Sequence, residues 1–338
     1  MLGGTLVALT MAEVSVRALD PQPAPAGLLR GMLTEPGDHP VRSEEYDVTV
    51  HVNARGFVDD EWVDRAGVPR VVVIGDSFVQ AAQVDPGLGY GARLETRLYA
   101  EGLEADVRSL GVPGAGTATA LGILEEYALP MKPDLVILGF LVSNDVLNNH
   151  PLLEGKDDKP FYALRDGQLA PVKAADLVGG PLWQWSALWR RVTRDLMKRR
   201  IAERKLSLGQ GMPLDLRVYD PACGGACAVW DEAWAVTDAL LGEMDRACGE
   251  IPFAIVLFPD RNQVLGRSEW GTGGWDFSAA QARAASVAAK HGAVLDLLPD
   301  IRGEDGLYLP KDGHWTARGH DRAAELTVPL VRELLGRP

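Results

Sequence analysis

Val71-Val72-Val73-Ile74 is the stretch that most restricts what this chain can fold into. Four consecutive β-branched apolar residues cannot offer one dry and one wet face. The run therefore suits a strand covered on both sides in a parallel sheet. It stops at Gly75-Asp76-Ser77, which sets a serine hydroxyl at the strand's carboxyl end, the edge where open α/β sheets bind ligands. Asp and Ser are also favoured helix N-caps, so on its own the triplet reads equally well as a cap.

The pattern recurs. Short apolar runs at Ala105–Leu110, Leu135–Phe140, Ile251–Phe258 and Val294–Pro299 read as four more strands. Between and after them lie helical spacings: about Pro86 to Ala100, a segment through Leu121, Leu124 and Tyr127, then Trp230–Ala247, Ala279–His291 and Ala317–Leu335. Alternation with short connections predicts an α/β fold of three layers, α/β/α, around a doubly wound, flavodoxin-like five-stranded parallel sheet. The alternating stretch Glu45–Asn53 predicts a small edge strand laid against it.

Two regions break the rhythm. The first is 1–44, an apolar segment from Leu2 towards Leu19 followed by Asp20-Pro21-Gln22-Pro23-Ala24-Pro25, whose prolines predict an extended linker. Glu13 and Arg17 cut the apolar run short of a bilayer span. Three readings stay open: the remnant of an export signal or anchor, a membrane-facing helix, or an ordinary packed helix. The first is preferred, which predicts export or anchoring at a bacterial periplasm or envelope, with a cytoplasmic location as the alternative. The second region, about 146–229, is an insertion within a domain spanning 45–338. Its predicted helix, Leu182–Leu206, carries Trp183, Trp185, Trp189 and the basic residues Arg190, Arg191, Arg194, Lys198, Arg199 and Arg200. A polyanion patch or sugar-stacking tryptophans would be the functional readings. An amphipathic helix with inward tryptophans and solvated charges is preferred.

A net charge of −13 argues against nucleic acid or an anionic membrane surface as the main partner. Three cysteines are too few for a disulfide framework, and the Cys223–Cys227 spacing, with no histidine nearby, does not suggest zinc. One disulfide is open if the chain is exported.

Chemistry-bearing residues fall at strand ends: Ser77, Gly114 and Asn144 after the first three strands, and Asp312-x-His314 before the last helix. A serine needs a base, and the base an orienting acid. His314 and Asp312 are the available pair. An oxyanion needs fixed donors, which the Ser77 and Gly114 N–H groups and the Asn144 amide could supply. Gly111, Gly114 and Gly116 do not have the spacing of a dinucleotide fingerprint.

These blocks resemble those of the SGNH (GDSL-type) hydrolase superfamily over about residues 45–335. Gly75-Asp76-Ser77 resembles its first block, Ser109-Leu110-Gly111-Val112-Pro113-Gly114 its second, Ser143-Asn144-Asp145 its third (with Ser143 in place of the usual glycine), and Asp312-Gly313-His314-Trp315 its last. The family's common spacing is Asp-x-x-His. The Asp-x-His-Trp form here is similar to that of enzymes which O-acetylate alginate and related exopolysaccharides. The resemblance implies Ser77 as nucleophile, His314 as base, Asp312 as orienting acid, and an oxyanion hole from Ser77, Gly114 and Asn144, with no metal or cofactor. It implies a serine esterase acting on a small acyl ester, such as acetyl on a glycan. An O-acetyltransferase, or a non-catalytic carbohydrate-binding protein of the same fold, are the alternatives.

Overall fold

A computed structural model describes the chain except for residues 1, 20–28, 30, 155–158, 179–185, 210–213, 221–226, 268–273 and 337–338. The expected linker at Asp20–Pro25, together with Cys223, Trp183 and Trp185, lies outside the described residues. In chain order the elements that matter are α1 (Leu2–Leu19), the hairpin β1 (Gly37–Arg42) and β2 (Asp47–Val52), β3 (Arg70–Gly75), α2 (Ser77–Gln80), α3 (Tyr90–Ala100), β4 (Asp106–Gly111), α4 (Thr117–Ile123), β5 (Leu135–Leu141) and α5 (Val142–Asn148). There follow a second hairpin, β6 (Tyr162–Arg165) and β7 (Gln168–Pro171), then α6 (Ala187–Val192), α7 (Arg194–Gly209), α8 (Cys227–Cys248), β8 (Phe253–Phe258), α9 (Arg261–Leu265), α10 (Phe277–Ala288), β9 (Ala293–Asp296) and α11 (Ala317–Leu334).

The central sheet has the order β4-β3-β5-β8-β9, every pairing parallel. Counting only its own strands this is 2-1-3-4-5, the doubly wound flavodoxin-like order expected from the sequence, and its switch point lies between β3 and β5. The β-branched run explains why β3 sits in the middle. Val72 and Ile74 face the layer built by α4, α8 and α10, while Val71 and Val73 face α3 and α11. All four are fully buried. Each such side chain contributes about 1.5–3 kcal/mol, so a polar residue in this run would cost the sheet its centre.

Several elements differ from the sequence expectation. The edge strand Asp47–Val52 has a partner, Gly37–Arg42, which pairs with it antiparallel across Gly37–Val52 to Arg42–Asp47. Pro40 and His39 in that partner hide the strand signal. The last sheet strand ends at Asp296, because Leu298–Ile301 turns helical around Pro299. The single helix expected over Leu182–Leu206 is two, broken at Thr193. In these helices Met197 and Ile201 are buried and the described basic side chains lie towards solvent. Trp189, expected to pack inward, is 43% exposed; the buried residue of its short helix is Ala187, and the break at Thr193 separates it from the face that Met197 and Ile201 bury.

No described helix is long and apolar enough to cross a membrane. Helix α1 packs against α6, where Glu13 accepts hydrogen bonds from Ser186 Oγ and the Ala187 and Leu188 N–H groups at 2.8–3.0 Å. Those amides hold the Glu13 carboxyl down to about 2. Cys227 is disulfide-bonded and Cys248 is a buried free thiol.

Candidate active site

The site is built on the carboxyl edge of β3, β4 and β5. Beyond β3 the chain turns at Asp76 into the single-turn helix α2. The Asp76 side chain caps that helix by accepting from Phe78 N–H at 2.9 Å. The cap reading and the serine reading therefore hold together at one turn. Helix α2 lies hard against the sheet edge because Gly111 ends β4. A methyl group there would meet Gln80 N at 2.1 Å, a backbone atom that cannot move aside cheaply. Ser77 occupies the first helical position, whose N–H has no intrahelical acceptor.

The Ser77 hydroxyl lies 2.7 Å from His314 Nε2. On the far side of the ring Nδ1 is hydrogen-bonded to Asp312 Oδ1. Burial raises the Asp312 carboxyl, but hydrogen bonds from His314 and Tyr46 outweigh it and leave the group below the usual carboxylate range. Asp312 is thus an acceptor near neutral pH, and it favours the imidazole tautomer that carries its proton on Nδ1. The Nε2 lone pair then faces Ser77, the arrangement a general base needs.

The Asp312–His314 loop is a tight reversal. Leu309 N–H donates to His314 O at 2.8 Å, Gly313 takes φ +84, and Tyr308 bridges to Trp315. Trp315 anchors it, 1% exposed, within an aromatic cluster of Phe78 (4.9 Å between centroids), Phe258 (4.7 Å) and Tyr90 (6.3 Å). The residue after His314 thereby packs on the residue after Ser77. This contact sets the base beside the hydroxyl.

The oxyanion candidates converge on the same place. Gly114 takes φ +65 in the turn after β4, a conformation that disfavours any side chain. Its carbonyl accepts from Lys159 Nζ at 2.6 Å, and that buried ammonium also pairs with Glu154. Asn144 lies in the first turn of α5, and its Nδ2 donates one hydrogen to Asp76 Oδ2 at 2.8 Å. The amide's second N–H remains for another acceptor. Ser77, Gly114, Asn144, Asp312 and His314 all line one cleft of about 900 Å³, bounded on its other side by Asp260, Arg261 and Asn262 after β8.

Three carboxyls adjoin this cleft, Asp260 in its wall and the buried Asp76 and Asp145 behind it. Burial raises Asp76 against the pull of Phe78 N–H and Asn144. Burial, and then the nearby Asp76 charge, pushes Asp145 well above the usual range. Asp260 is raised by burial, against the hydrogen bond it accepts from the Tyr219 hydroxyl at 2.6 Å.

All five residues singled out from the sequence meet in this cleft. Sequence reasoning missed the groups that hold them: Asp76 on Asn144, Lys159 on the Gly114 carbonyl, Arg261 on the Pro310 carbonyl, and Glu45 and Tyr46 on the Asp312 loop. Only Asp76 had a local signal, its place beside Ser77.

No family model and no curated protein matches the chain. Solved structures with a similar fold include TesA, at 18% identity and TM-score 0.44 over 78% of this chain and 99% of that one. Another is the acetyl xylan esterase AlAXEase, at 13% identity and TM-score 0.44 over 78% of this chain and 99% of that one. A third is a carbohydrate acetylesterase family member from Sinorhizobium meliloti, at 15% identity and TM-score 0.38 over 80% and 100%. At that level of similarity, what this chain does must be read from its own residues.

Proposed function

We propose that the protein is a serine esterase that removes a small acyl group, acetyl, from an ester of a sugar hydroxyl. The observation that carries this reading is the chain of contacts Ser77 Oγ to His314 Nε2 at 2.7 Å and His314 Nδ1 to Asp312, open to a cleft. Ser77 Oγ attacks the ester carbonyl while His314 Nε2 takes its proton, and Asp312 stabilises the imidazolium so formed. The oxygen of the tetrahedral intermediate takes hydrogen bonds from Ser77 N–H, Gly114 N–H and the free N–H of Asn144. His314 returns the proton to the departing alkoxide, releasing the alcohol and leaving acyl-Ser77. An acceptor hydroxyl, deprotonated by His314, then attacks the acyl carbonyl and carries off the acyl group, while His314 returns that proton to the departing Ser77 Oγ. Water as that acceptor makes the protein an esterase.

A second reading is acyl transfer to a glycan hydroxyl. It is supported by the Asp312-x-His314-Trp315 block and by the cleft volume, which exceeds what an acetyl ester alone would fill. The disulfide at Cys227 supports an exported, oxidising location, where glycans would be the available substrates.

The test is intact-mass analysis after brief mixing with an activated acetyl ester. Wild type should gain one acetyl group, and Ser77→Ala none, with the variant's turnover down by at least about a thousandfold. Unchanged turnover in Ser77→Ala would sink Ser77 as the nucleophile, whereas a wild type that neither turns over nor becomes acetylated would leave glycan binding as the role of this cleft. Adding glycan acceptors separates the two enzymes, because transfer predicts acetyl on the glycan faster than free acetate appears.

A further inference from the structure

The turn of the β1–β2 hairpin grips the Asp312 loop with three consecutive side chains. The Glu44 carboxylate pairs with Lys311 Nζ. Glu45 accepts from Lys311 N–H at 2.9 Å and from Asp312 N–H at 2.6 Å. The Tyr46 hydroxyl donates to Asp312 Oδ2 at 2.9 Å. The turn is itself closed, by Ser43 N–H to Tyr46 O at 2.9 Å, Glu45 N–H to Ser43 Oγ at 3.0 Å, and an Arg42–Asp47 ion pair at 2.9 Å.

The Asp312 side chain is 22% exposed, on a surface loop. Left to solvent, such a carboxylate would rotate and share both oxygens with water. An acid that orients an imidazole must keep presenting the same oxygen to the same nitrogen. The contacts divide that task. Glu45 fixes the backbone of Asp312, and Tyr46 occupies Oδ2, which leaves Oδ1 for His314. Burial and then Asp312 raise the Tyr46 hydroxyl above its ordinary value, so it remains a donor across the working pH range.

We propose that Tyr46 is a positioning residue of the esterase site, holding His314 in register with Ser77 through the second oxygen of Asp312. This rests on the esterase reading above. The hairpin is then part of the machinery: an element from the start of the chain completes a catalytic acid near its end. Tyr46 touches no reacting atom, and its effect should appear in the chemical step rather than in binding.

The test compares wild type, Tyr46→Phe, Asp312→Asn and the double variant. Two readouts are taken: steady-state hydrolysis of an activated acetyl ester, and the rate at which a fluorophosphonate labels Ser77, followed by intact mass. Tyr46→Phe should lower kcat and the labelling rate about tenfold with KM within about twofold, the size expected for one hydrogen bond to a charged group. In the Asp312→Asn background the same change should cost less than about twofold, because the two residues act as one unit. The proposal falls if Tyr46→Phe leaves both rates near wild type. It falls equally if the tenfold loss persists in the Asp312→Asn background, which would mark a general structural role. Should Tyr46→Phe lower the thermal midpoint, the same cycle is read below both midpoints, so coupling is still measured. A wild type whose Ser77 is not labelled at all would overturn the esterase reading, a pattern distinct from equal labelling of wild type and Tyr46→Phe.

Discussion

His320 makes folding of this protein sensitive to acid, by an amount that can be worked out from its surroundings. It sits in the first turn of α11, 1% exposed, with its ring edge-on to Trp315 at 5.4 Å between centroids. Neither ring nitrogen has a hydrogen-bond partner among the described residues. Burial, and then the neighbouring His314, lower its pKa from 6.5 to about 3. A base whose folded pKa is depressed contributes stability that is fully present above the unfolded value. That stability is lost as pH falls from there towards the folded value, because the unfolded chain binds the proton first. Linkage puts the loss at about 2 kcal/mol at pH 5 and about 3 kcal/mol at pH 4. His320→Phe keeps a ring against Trp315 and removes the titration. Urea unfolding of both proteins at pH 7 and pH 5 isolates this contribution, since every other titrating group cancels in the difference. Wild type should lose about 2 kcal/mol more than the variant between the two pH values. At pH 7 the variant should be at least as stable as wild type, because a buried ring with two unpartnered nitrogens has been replaced by an apolar one. Equal pH dependence in the two proteins would refute the account. Because Trp315 carries the His314 loop, activity should fail along with stability as His320 takes up its proton.

Three further outcomes are expected. Asn144→Ala should lower kcat by about 10²–10³ with little change in KM, as removal of one oxyanion donor does, and steady-state kinetics with an activated acetyl ester checks it. Lys159→Met withdraws the cation from a buried carboxylate and should cost about 3–5 kcal/mol in chemical unfolding, whereas Lys159→Met with Glu154→Gln should recover much of that loss. Gly111→Ala drives a methyl group into the backbone of α2, so it should both destabilise by about 1–3 kcal/mol and slow phosphonylation of Ser77; a fully active variant would mean that α2 is free to shift.

The sheet was legible because its strands are short and covered on both faces. Val71–Ile74, Leu135–Phe140 and the run ending at Phe258 each carry an unbroken apolar signal, and their alternation with helices over short connections marks a doubly wound parallel sheet. The residues at their carboxyl ends were legible for the same reason, since a strand's exit fixes where Ser77, Gly114 and Asn144 must lie. What holds those residues was not. Tyr46 and Asp312 are 266 positions apart, and nothing within a window around either one signals the other. The partner strand Gly37–Arg42 carries proline and histidine where a strand signal would need β-branched residues, and it forms because β2 offers it an edge. Lys159 belongs to the insertion, where periodicity is weak, and its burial depends on Glu154 and the Gly114 carbonyl together. Trp189 shows the converse failure. A tryptophan on one long helix is expected to be buried, yet the helix breaks at Thr193, and on the short piece that holds Trp189 it is Ala187 that is buried.

The distance along the chain between Ser77 and His314, 237 residues, has a consequence for how the protein comes into being. Ribosomes deliver the hairpin, β3, β4 and β5 first, and these can pair as they emerge. The partner that would activate Ser77 is made only after β9, and it is seated only when Trp315 drops into its aromatic cluster and α11 closes over the sheet. Every nascent or C-terminally shortened form thus carries an idle serine hydroxyl. If Ser77 is the nucleophile proposed above, its reactivity switches on in one late step, when the His314 loop docks beside it.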